Sequence, residues 1–111
     1  KGRLMETLIA IELQRIKSFD KQLEVYYWKD HRQREVDFVL KKGKKVKQLI
    51  QASFASSKNE INKRELIALS KASQELKCND LTIITWDYEG MESLEKNKVK
   101  LIPLWKWLLS H

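Results

Sequence analysis

The segment between residues 23 and 53 most constrains the fold, because it holds three β-rich runs joined by very short connections. The runs are Leu23–Lys29, Glu35–Lys42 and Val46–Ser53, and each contains aromatic or β-branched residues. Connections this short join only neighbouring antiparallel strands, since a parallel pair needs a crossover of a dozen or more residues. The sequence therefore predicts a three-strand antiparallel meander.

Helical patterns flank this meander. From Leu4 to Ser18, apolar residues recur at helical spacing and cover more than half of the circumference, which predicts a helix buried on several sides. A second helix is expected to begin after Asn62 and to run through Lys77, with Glu65 placed three positions after the cap.

The last third of the chain alternates short strands with other structure. Residues Leu81 to Thr85 form a short, uncharged, β-branched run typical of a buried strand. We expect loop or irregular helix over 88–98, a strand at Val99–Ile102, and a closing helix that has Pro103 in its first turn and runs through Leu109. This order predicts an α/β domain with a mixed sheet that is flanked by helices on both faces.

Composition supports one compact domain over residues 1–111. The chain is 42% apolar and 33% charged and contains three Gly and one Pro, which argues against disorder and low complexity. No apolar run approaches the roughly 18 residues of a membrane span, so we expect a soluble, cytoplasmic protein without membrane contact. The single cysteine, Cys78, cannot form an intramolecular disulfide. The start within a helical pattern, without Met, suggests a fragment of a longer protein.

The net charge of +7 is concentrated in the predicted meander, where positions 29 to 47 contain eight Lys or Arg residues and three acids. A nucleic-acid backbone is one partner that suits such a surface, and a solvated face that only keeps the protein soluble is the alternative. The candidate phosphate-binding residues are Arg32, Arg34, Lys41, Lys42, Lys44, Lys45 and Lys47.

A few polar residues fall at positions that suggest chemistry. Glu6 projects along the edge of the buried face of the first helix. Asp37 is an acid within a β-rich run, and its neighbours Val36 and Phe38 are expected on the opposite face of the sheet. On the following strand, Gln51 is the first of two polar residues that share one face.

Segments spread over nearly the whole chain resemble the PD-(D/E)xK nuclease superfamily. The match is nearest to the C-terminal domain that follows the ATPase module in archaeal and bacterial AAA-type ATPases, a domain of unknown function. The segments are 2–8, 27–28, 35–39, 49–53, 63–65, 84–86 and 102–108. The resemblance implies a restriction-endonuclease-like core and an ATPase module in the same chain as a partner. ATP itself would bind outside these residues, which contain no Gly-rich phosphate loop.

In active members of this superfamily, two strand acids hold Mg²⁺ and a Lys two residues after the second acid activates water. The resemblance matches Asp37 to the first acid and Glu6 to an additional acid of the first helix. Gln51 stands in place of the second acid and Ser53 in place of the Lys. The resemblance therefore implies a remnant site of Glu6, Asp37, Gln51 and Ser53, with Mg²⁺ bound weakly or lost.

Other readings of the same residues remain open. A displaced Lys can restore activity in such a site, and Lys63 and Lys47 are the candidates; Lys47 is expected on the same strand face as Gln51. Alternatively, Asp37 simply pairs with a base such as Arg34 or Lys47. Glu65 is most simply a helix-cap residue.

Three functions follow from these patterns. The preferred hypothesis is an accessory, non-catalytic nuclease-fold domain of an AAA-type ATPase that contributes nucleic-acid or partner binding. The first alternative is an Mg²⁺-dependent DNA endonuclease with a rearranged site. The second is a protein interaction or dimerisation module that uses the region of Trp105 and Trp107, since exposed aromatic residues commonly anchor interfaces.

Overall fold

A computed structural model describes residues 2–111 and shows one six-stranded sheet with three helices. The mixed α/β architecture is confirmed. None of the helices in this part of the chain is long and apolar enough to cross a membrane. In chain order the elements are α1 (Gly2–Phe19), β1 (Leu23–Lys29), β2 (Glu35–Lys42), β3 (Lys45–Ser53), a 3-10 turn (Lys58–Glu60), α2 (Lys63–Leu76), β4 (Leu81–Thr85), β5 (Gly90–Leu94), β6 (Asn97–Pro103) and α3 (Leu104–Leu109).

The strands lie in the order β1-β2-β3-β4-β6-β5. The meander is confirmed, because β1, β2 and β3 pair antiparallel. The α2 crossover brings β4 parallel to β3, and β6 pairs parallel with β4. This arrangement places β4 in the interior of the sheet, as its uncharged sequence predicts. Strand β5 pairs antiparallel with β6 at the far edge.

Helices cover both faces of the sheet and create two separate apolar clusters. The cluster on the face of α1 and α3 contains Met5, Ile9, Leu13, Leu23, Leu40, Ile50, Ile84, Ile102, Leu104 and Trp107. The cluster on the face of α2 contains Trp28, Val36, Val39, Leu49, Leu66, Ala68, Leu69, Ala72, Cys78, Leu81, Ile83, Val99 and Leu101. Each large side chain buried in these clusters contributes roughly 1.5–3 kcal/mol to folding.

Local signals fix both ends of α2. The Asn62 side chain accepts a hydrogen bond from the backbone N–H of Arg64 at 2.8 Å, so the predicted N-cap is confirmed. At the other end Lys77 adopts the left-handed conformation, with φ of 55°, and its N–H bonds the carbonyl of Ser73. The helix therefore presents its first turn to β2 and β3 in a fixed position.

Strand β5 corrects the prediction of loop or irregular helix for residues 88–98. Residues Gly90–Leu94 form a hairpin with β6, in which Leu94 pairs with Asn97. The connection contains Glu95 at a φ of 55°. Because Gly or Asn usually marks such a position, the turn lacks the residue type that identifies hairpins in a sequence.

Strand β2 contains a bulge between Val36 and Val39. These residues are three apart, whereas their partners on β1 are two apart, so Asp37 and Phe38 together face one β1 residue. Val36 packs in the cluster on the α2 face, while Phe38 packs against the cluster on the α1 face. The expectation that both neighbours of Asp37 share one face is therefore wrong, because the extra residue shifts the alternation.

Candidate functional site

The candidate site lies where β2 and β3 separate. The backbone hydrogen bonds between the two strands extend from the hairpin to the Phe38–Ile50 pair. Beyond that pair, the side chain of Gln51 on β3 makes the hydrogen bonds to the β2 backbone. The Gln51 Nε2 donates to the carbonyl of Glu35 at 2.7 Å, and its Oε1 accepts the N–H of Asp37 at 2.9 Å. A second, longer bond joins Nε2 to the carbonyl of Glu65 at 3.4 Å. One buried amide thus satisfies the β2 backbone.

Asp37 completes this junction from the other strand. Its Oδ2 accepts the backbone N–H of Ala52 at 2.8 Å, so each strand supplies one side chain to the backbone of the other. Within residues 2–111 Asp37 takes part in none of the salt bridges, and Arg34 pairs instead with Asp30 at 2.7 Å. The alternative in which Arg34 neutralises Asp37 is therefore wrong.

A cavity of about 300 Å³ opens beside this junction, between β2, β3 and the first turn of α2. Burial raises the pKa of Asp37 to about 6, with help from the charges of Glu6 and Glu35 and against the Ala52 hydrogen bond. Burial and the charge of Asp37 raise the pKa of Glu65 to about 7. The residues that line the cavity are Gln33, Glu35, Asp37, Gln51, Asn62, Arg64, Glu65 and Ala68.

Glu65 is a site residue that the helix-cap interpretation missed. A hydrogen bond from the backbone of Asn62 does lower its pKa, in agreement with a capping role. The same carboxyl also lines the cavity with Asp37. The sequence contains a signal for this position, because Glu65 precedes the buried residues Ala68 and Leu69 by three and four positions. That helical spacing directs it to the sheet.

The predicted remnant residues are brought together in part. Gln51 contacts the backbone of Asp37 directly, and Glu6 lies close enough for its charge to raise the pKa of both Asp37 and Glu65. Ser53 is buried at the end of β3, and it is not among the side chains that line the cavity.

Neither candidate lysine lines the cavity. Lys63 is exposed at the start of α2, and the cation that lines the cavity is its neighbour Arg64. Lys47 lies beside Leu13 and Ile16 of α1, on the face opposite to the one where Gln51 contacts α2. The expectation that Lys47 shares a face with Gln51 is wrong. A second register shift, between β2 and β3 near Lys47, changes the alternation there.

The donor set suits Mg²⁺ in chemistry but not in arrangement. Carboxylate and amide oxygens are the ligands that a hard cation prefers. However, no group of three His, Cys, Asp or Glu residues in the described part of the chain is placed to hold a metal ion. The carbonyl of Gln51 already accepts the Asp37 N–H, and its amide nitrogen is also committed to the β2 backbone. The described residues thus form no ready-made Mg²⁺ site, and weak Mg²⁺ binding stays a prediction.

The predicted basic surface divides into two parts at opposite ends of β2. Arg32 and Arg34 lie in the β1–β2 connection near the cavity, where Asp30 accepts both of their backbone N–H groups. The five lysines lie at the β2–β3 hairpin, where Lys42 pairs with Asp20 at 2.5 Å. The hairpin lysines are Lys41, Lys42, Lys44, Lys45 and Lys47.

Three hairpin lysines are available to a partner. Lys44, Lys45 and Lys47 are exposed, and none of the salt bridges within residues 2–111 involves them. An open cleft of about 620 Å³, here called the lysine cleft, lies on the α1 side of the hairpin. Its lining residues are Lys21, Gln22, Glu24, Lys42, Gly43, Lys45 and Lys47.

The two tryptophans of α3 have different environments. Trp107 is 5% exposed and packs in the cluster on the α1 face, so it is a core residue. Trp105 is 56% exposed and lines an apolar groove of about 520 Å³ together with Leu8 and Trp86. Only Trp105 of the pair predicted to anchor a partner is therefore accessible.

This fold and this site define a mixed α/β domain with a carboxyl cavity at one end of the β2–β3 pair and a lysine-rich hairpin at the other. Residues 1–107 match the family model described as a domain of unknown function (DUF4143), and the chain belongs to that family. It is also similar to the uncharacterized protein MJ1544 of Methanocaldococcus jannaschii, with 36% identity over 118 residues.

The alignment with the archaeal protein covers all of this chain and 25% of the relative, so the chain spans about a quarter of that protein's length. No solved structure matches the chain. The nuclease resemblance and the association with an AAA-type ATPase are tested by neither match and stay predictions.

Proposed function

We propose that this is an accessory, non-catalytic domain of the PD-(D/E)xK type, which binds the phosphate backbone of nucleic acid through the β2–β3 hairpin. The observation that carries the proposal is the group Lys44, Lys45 and Lys47. These side chains are exposed, adjacent to the lysine cleft, and outside the salt bridges of residues 2–111. The similarity to a quarter of a longer protein fits a domain that works within a longer chain, and an ATPase module is the neighbour that the sequence resemblance implies.

Free ammonium groups on a hairpin suit phosphates for a simple electrostatic reason. Each contact releases counterions from the nucleic acid, which gives affinity that depends on salt and little on sequence. A cation that is already paired with an acid contributes less to phosphate binding. We therefore exclude Arg34 from the binding surface and expect only a weak contribution from Lys42. The lack of a catalytic role is supported by Gln51, whose amide holds the β2 backbone instead of facing a substrate.

Fluorescence anisotropy with a labelled oligonucleotide tests this proposal. With about three phosphate contacts, affinity is expected to fall roughly fortyfold between about 50 and 200 mM salt. The triple variant Lys44→Gln, Lys45→Gln, Lys47→Gln is expected to lose most of the affinity measured at low salt and to show a shallower salt dependence.

A matched control removes the same charge from another surface. Lys96, Lys98 and Lys100 are exposed on β6 and its connection to β5, across the sheet from β1 and β2. Replacing all three with Gln is expected to change affinity by less than about threefold, because the net charge alone contributes weakly. Absence of binding at low salt, or equal losses in the two triple variants, would contradict the proposal.

Metal-dependent cleavage of DNA is the second candidate, and one observation favours it. Asp37 and Glu65 line one cavity, and burial raises the pKa of both. Strongly shifted carboxyl groups in a cavity are common at catalytic sites, although structural networks produce them as well. Since no three His, Cys, Asp or Glu residues in the described part of the chain form a metal-binding group, the candidate requires the site to rearrange when the metal binds.

Nicking of supercoiled plasmid in Mg²⁺ or Mn²⁺ tests this candidate. Activity that Asp37→Asn abolishes, and that the triple Lys→Gln variant of the hairpin only weakens, would establish cleavage. Activity that survives Asp37→Asn would come from a contaminant, and absence of nicking would leave binding as the function.

A further inference from the structure

A second groove lies on the α2 side of the hairpin and differs in character from the lysine cleft. We call it the tyrosine groove, and its volume is about 620 Å³. Its lining residues are Tyr26, Tyr27, Trp28, Val39, Lys41, Lys44, Val46, Glu75 and Leu76. Apolar and aromatic side chains thus combine with two lysines in one open groove.

Tyr26 supplies an exposed aromatic surface in this groove. It is 48% exposed on β1, opposite Val39 of the α2-face cluster. Its hydroxyl donates to Glu24 Oε2 at 2.8 Å, which fixes the far end of the side chain. The ammonium of Lys41 lies 5.9 Å from the centre of the ring. A cation beside an exposed ring is the combination that binds a base and its phosphate together.

The acid that lines the same groove is engaged elsewhere. Glu75 Oε2 accepts the indole N–H of Trp28 at 2.9 Å, which holds both side chains in place. The two cations, Lys41 and Lys44, belong to no salt bridge in the described part of the chain. The Glu75 carboxylate keeps its charge in this bond, but two lysines against one acid leave the lining of the tyrosine groove net positive, which favours an anionic ligand.

Only the hairpin turn separates the tyrosine groove from the lysine cleft. Gly43 lines the cleft, and the next residue, Lys44, lines the groove. A flexible strand that crosses the turn can place phosphates against the lysines of the cleft and a base on Tyr26. A duplex keeps its bases stacked and paired, so it offers only phosphates to the same surface.

From this arrangement we propose that the hairpin binds single-stranded polynucleotide in preference to duplex, with Tyr26 stacking on a base and Lys41 and Lys44 contacting the adjacent phosphates. This inference rests on the proposed nucleic-acid binding and specifies the form of the ligand. DNA and RNA share the required chemistry, since each has bases with a π-face and a phosphate backbone.

Anisotropy titrations with three labelled probes test the inference on the whole chain. The probes are oligo-dT, oligo-rU and a mixed-sequence duplex, each about 20 nucleotides long, a length that exceeds usual single-strand binding sites. We expect single strands to bind at least about tenfold more tightly than duplex at equal salt. Comparing the dT and rU probes identifies which polymer is preferred.

Substitution of Tyr26 separates stacking from charge. Tyr26→Leu is expected to lower single-strand affinity about tenfold and to leave duplex affinity unchanged, because it removes a π-face and no charge. Tyr26→Phe keeps the ring and is expected to keep single-strand affinity. Trp105→Leu removes an aromatic residue of similar exposure on α3 and is expected to have no effect on either probe.

The failures of the two proposals are distinguishable. Equal affinity for single strands and duplex, or no loss in Tyr26→Leu, overturns the single-strand inference and leaves backbone binding intact. Absence of binding to all three probes at low salt overturns both. Far-UV circular dichroism of each variant checks that a loss is not a failure to fold.

Discussion

The two ends of the β2–β3 pair carry opposite charges in opposite environments. At the hairpin end Lys44, Lys45 and Lys47 are exposed to solvent and lack salt-bridge partners among residues 2–111. At the other end Asp37 is partly buried, and the 2%-exposed Gln51 bonds the β2 backbone. The same two strands therefore present one end to partners and use the other to hold themselves together.

Burial explains the difference between these ends. A partly buried carboxyl loses solvation, so its charged form becomes costly unless hydrogen bonds or cations compensate. At the cavity the Ala52 N–H compensates in part, and the pKa of Asp37 still rises to about 6. An exposed ammonium has no such cost and keeps its charge for an external phosphate. Polar residues at the two ends thus require different tests, of stability and of binding.

The largest expected effect comes from Gln51→Glu, which places a charge at the cavity end. The new carboxylate can accept the Asp37 N–H but cannot donate to the carbonyl of Glu35, and it lies beside two acids of raised pKa. Loss of a buried bond plus like-charge repulsion is expected to lower the free energy of unfolding by roughly 3 kcal/mol at pH 8. At pH 5 the protonated carboxyl can donate, so most of the loss should disappear.

Urea unfolding followed by tryptophan fluorescence measures this effect at the two pH values. Gln74→Glu makes the same chemical change at an exposed position of α2 and is expected to alter stability by less than about 0.5 kcal/mol. A loss for Gln51→Glu that is independent of pH would contradict the electrostatic part of the comparison.

The sequence predicts those features of the fold that depend on local patterns. The meander and the Asn62 cap are confirmed, because short connections and a capping side chain act within a few residues. Strand β5 was missed because Glu95, rather than Gly or Asn, adopts the positive φ of its turn. The mixed sheet with helices on both faces follows from element order alone and is also confirmed.

The site was predictable only in part, since its geometry arises between strands. The β2 bulge is set by pairing with β1, and no residue of β2 marks it in the sequence. The role of Gln51 depends on the backbone of a strand that lies fourteen or more positions away. Glu65, in contrast, follows from helical spacing to Ala68, so its place beside the sheet could have been inferred.

A moderate effect is expected from pH on the unmodified protein. The pKa values of Asp37 and Glu65 are raised to about 6 and 7, so the folded state binds more protons than the unfolded chain between about pH 4 and 7. Stability should therefore rise as the pH falls from 7.5 to 5, by on the order of 1–2 kcal/mol after allowance for partial exposure. This added stability is lost as the pH rises through 7.

Glu65→Gln isolates the contribution of the higher pKa. This variant is expected to flatten the dependence of the urea midpoint on pH between 6 and 7.5. Asp30 has the opposite effect on stability, but below this pH range. Desolvation raises the pKa of Asp30, and hydrogen bonds from Arg34 and Arg32 outweigh it and lower the pKa to about 2. A midpoint that rises with pH from 5 to 7.5 would contradict the burial of these carboxyl groups.

A smaller effect distinguishes a neutralised cation from a free one. Arg34 donates from Nε to Asp30 at 2.7 Å in the β1–β2 connection. Arg34→Gln is expected to lower the urea midpoint, because this pair holds the connection, and to change nucleic-acid affinity by less than about twofold. Anisotropy titrations compare the nucleic-acid affinity of Arg34→Gln with that of Lys44→Gln. An equal loss of affinity in both variants would place the binding surface at both ends of β2.

The smallest expected effect is on stability at the hairpin itself. Lys41, Lys42, Lys44 and Lys45 lie close together in sequence and space, so the double variant Lys44→Gln, Lys45→Gln relieves repulsion. Its free energy of unfolding is expected to rise by a few tenths of a kcal/mol at low salt and to equal that of the wild type at about 1 M salt, where screening is nearly complete. A loss of stability would mean that these lysines make stabilising contacts within the protein. The contrast between a hairpin end that is free to bind partners and a cavity end that makes intramolecular hydrogen bonds would then fail.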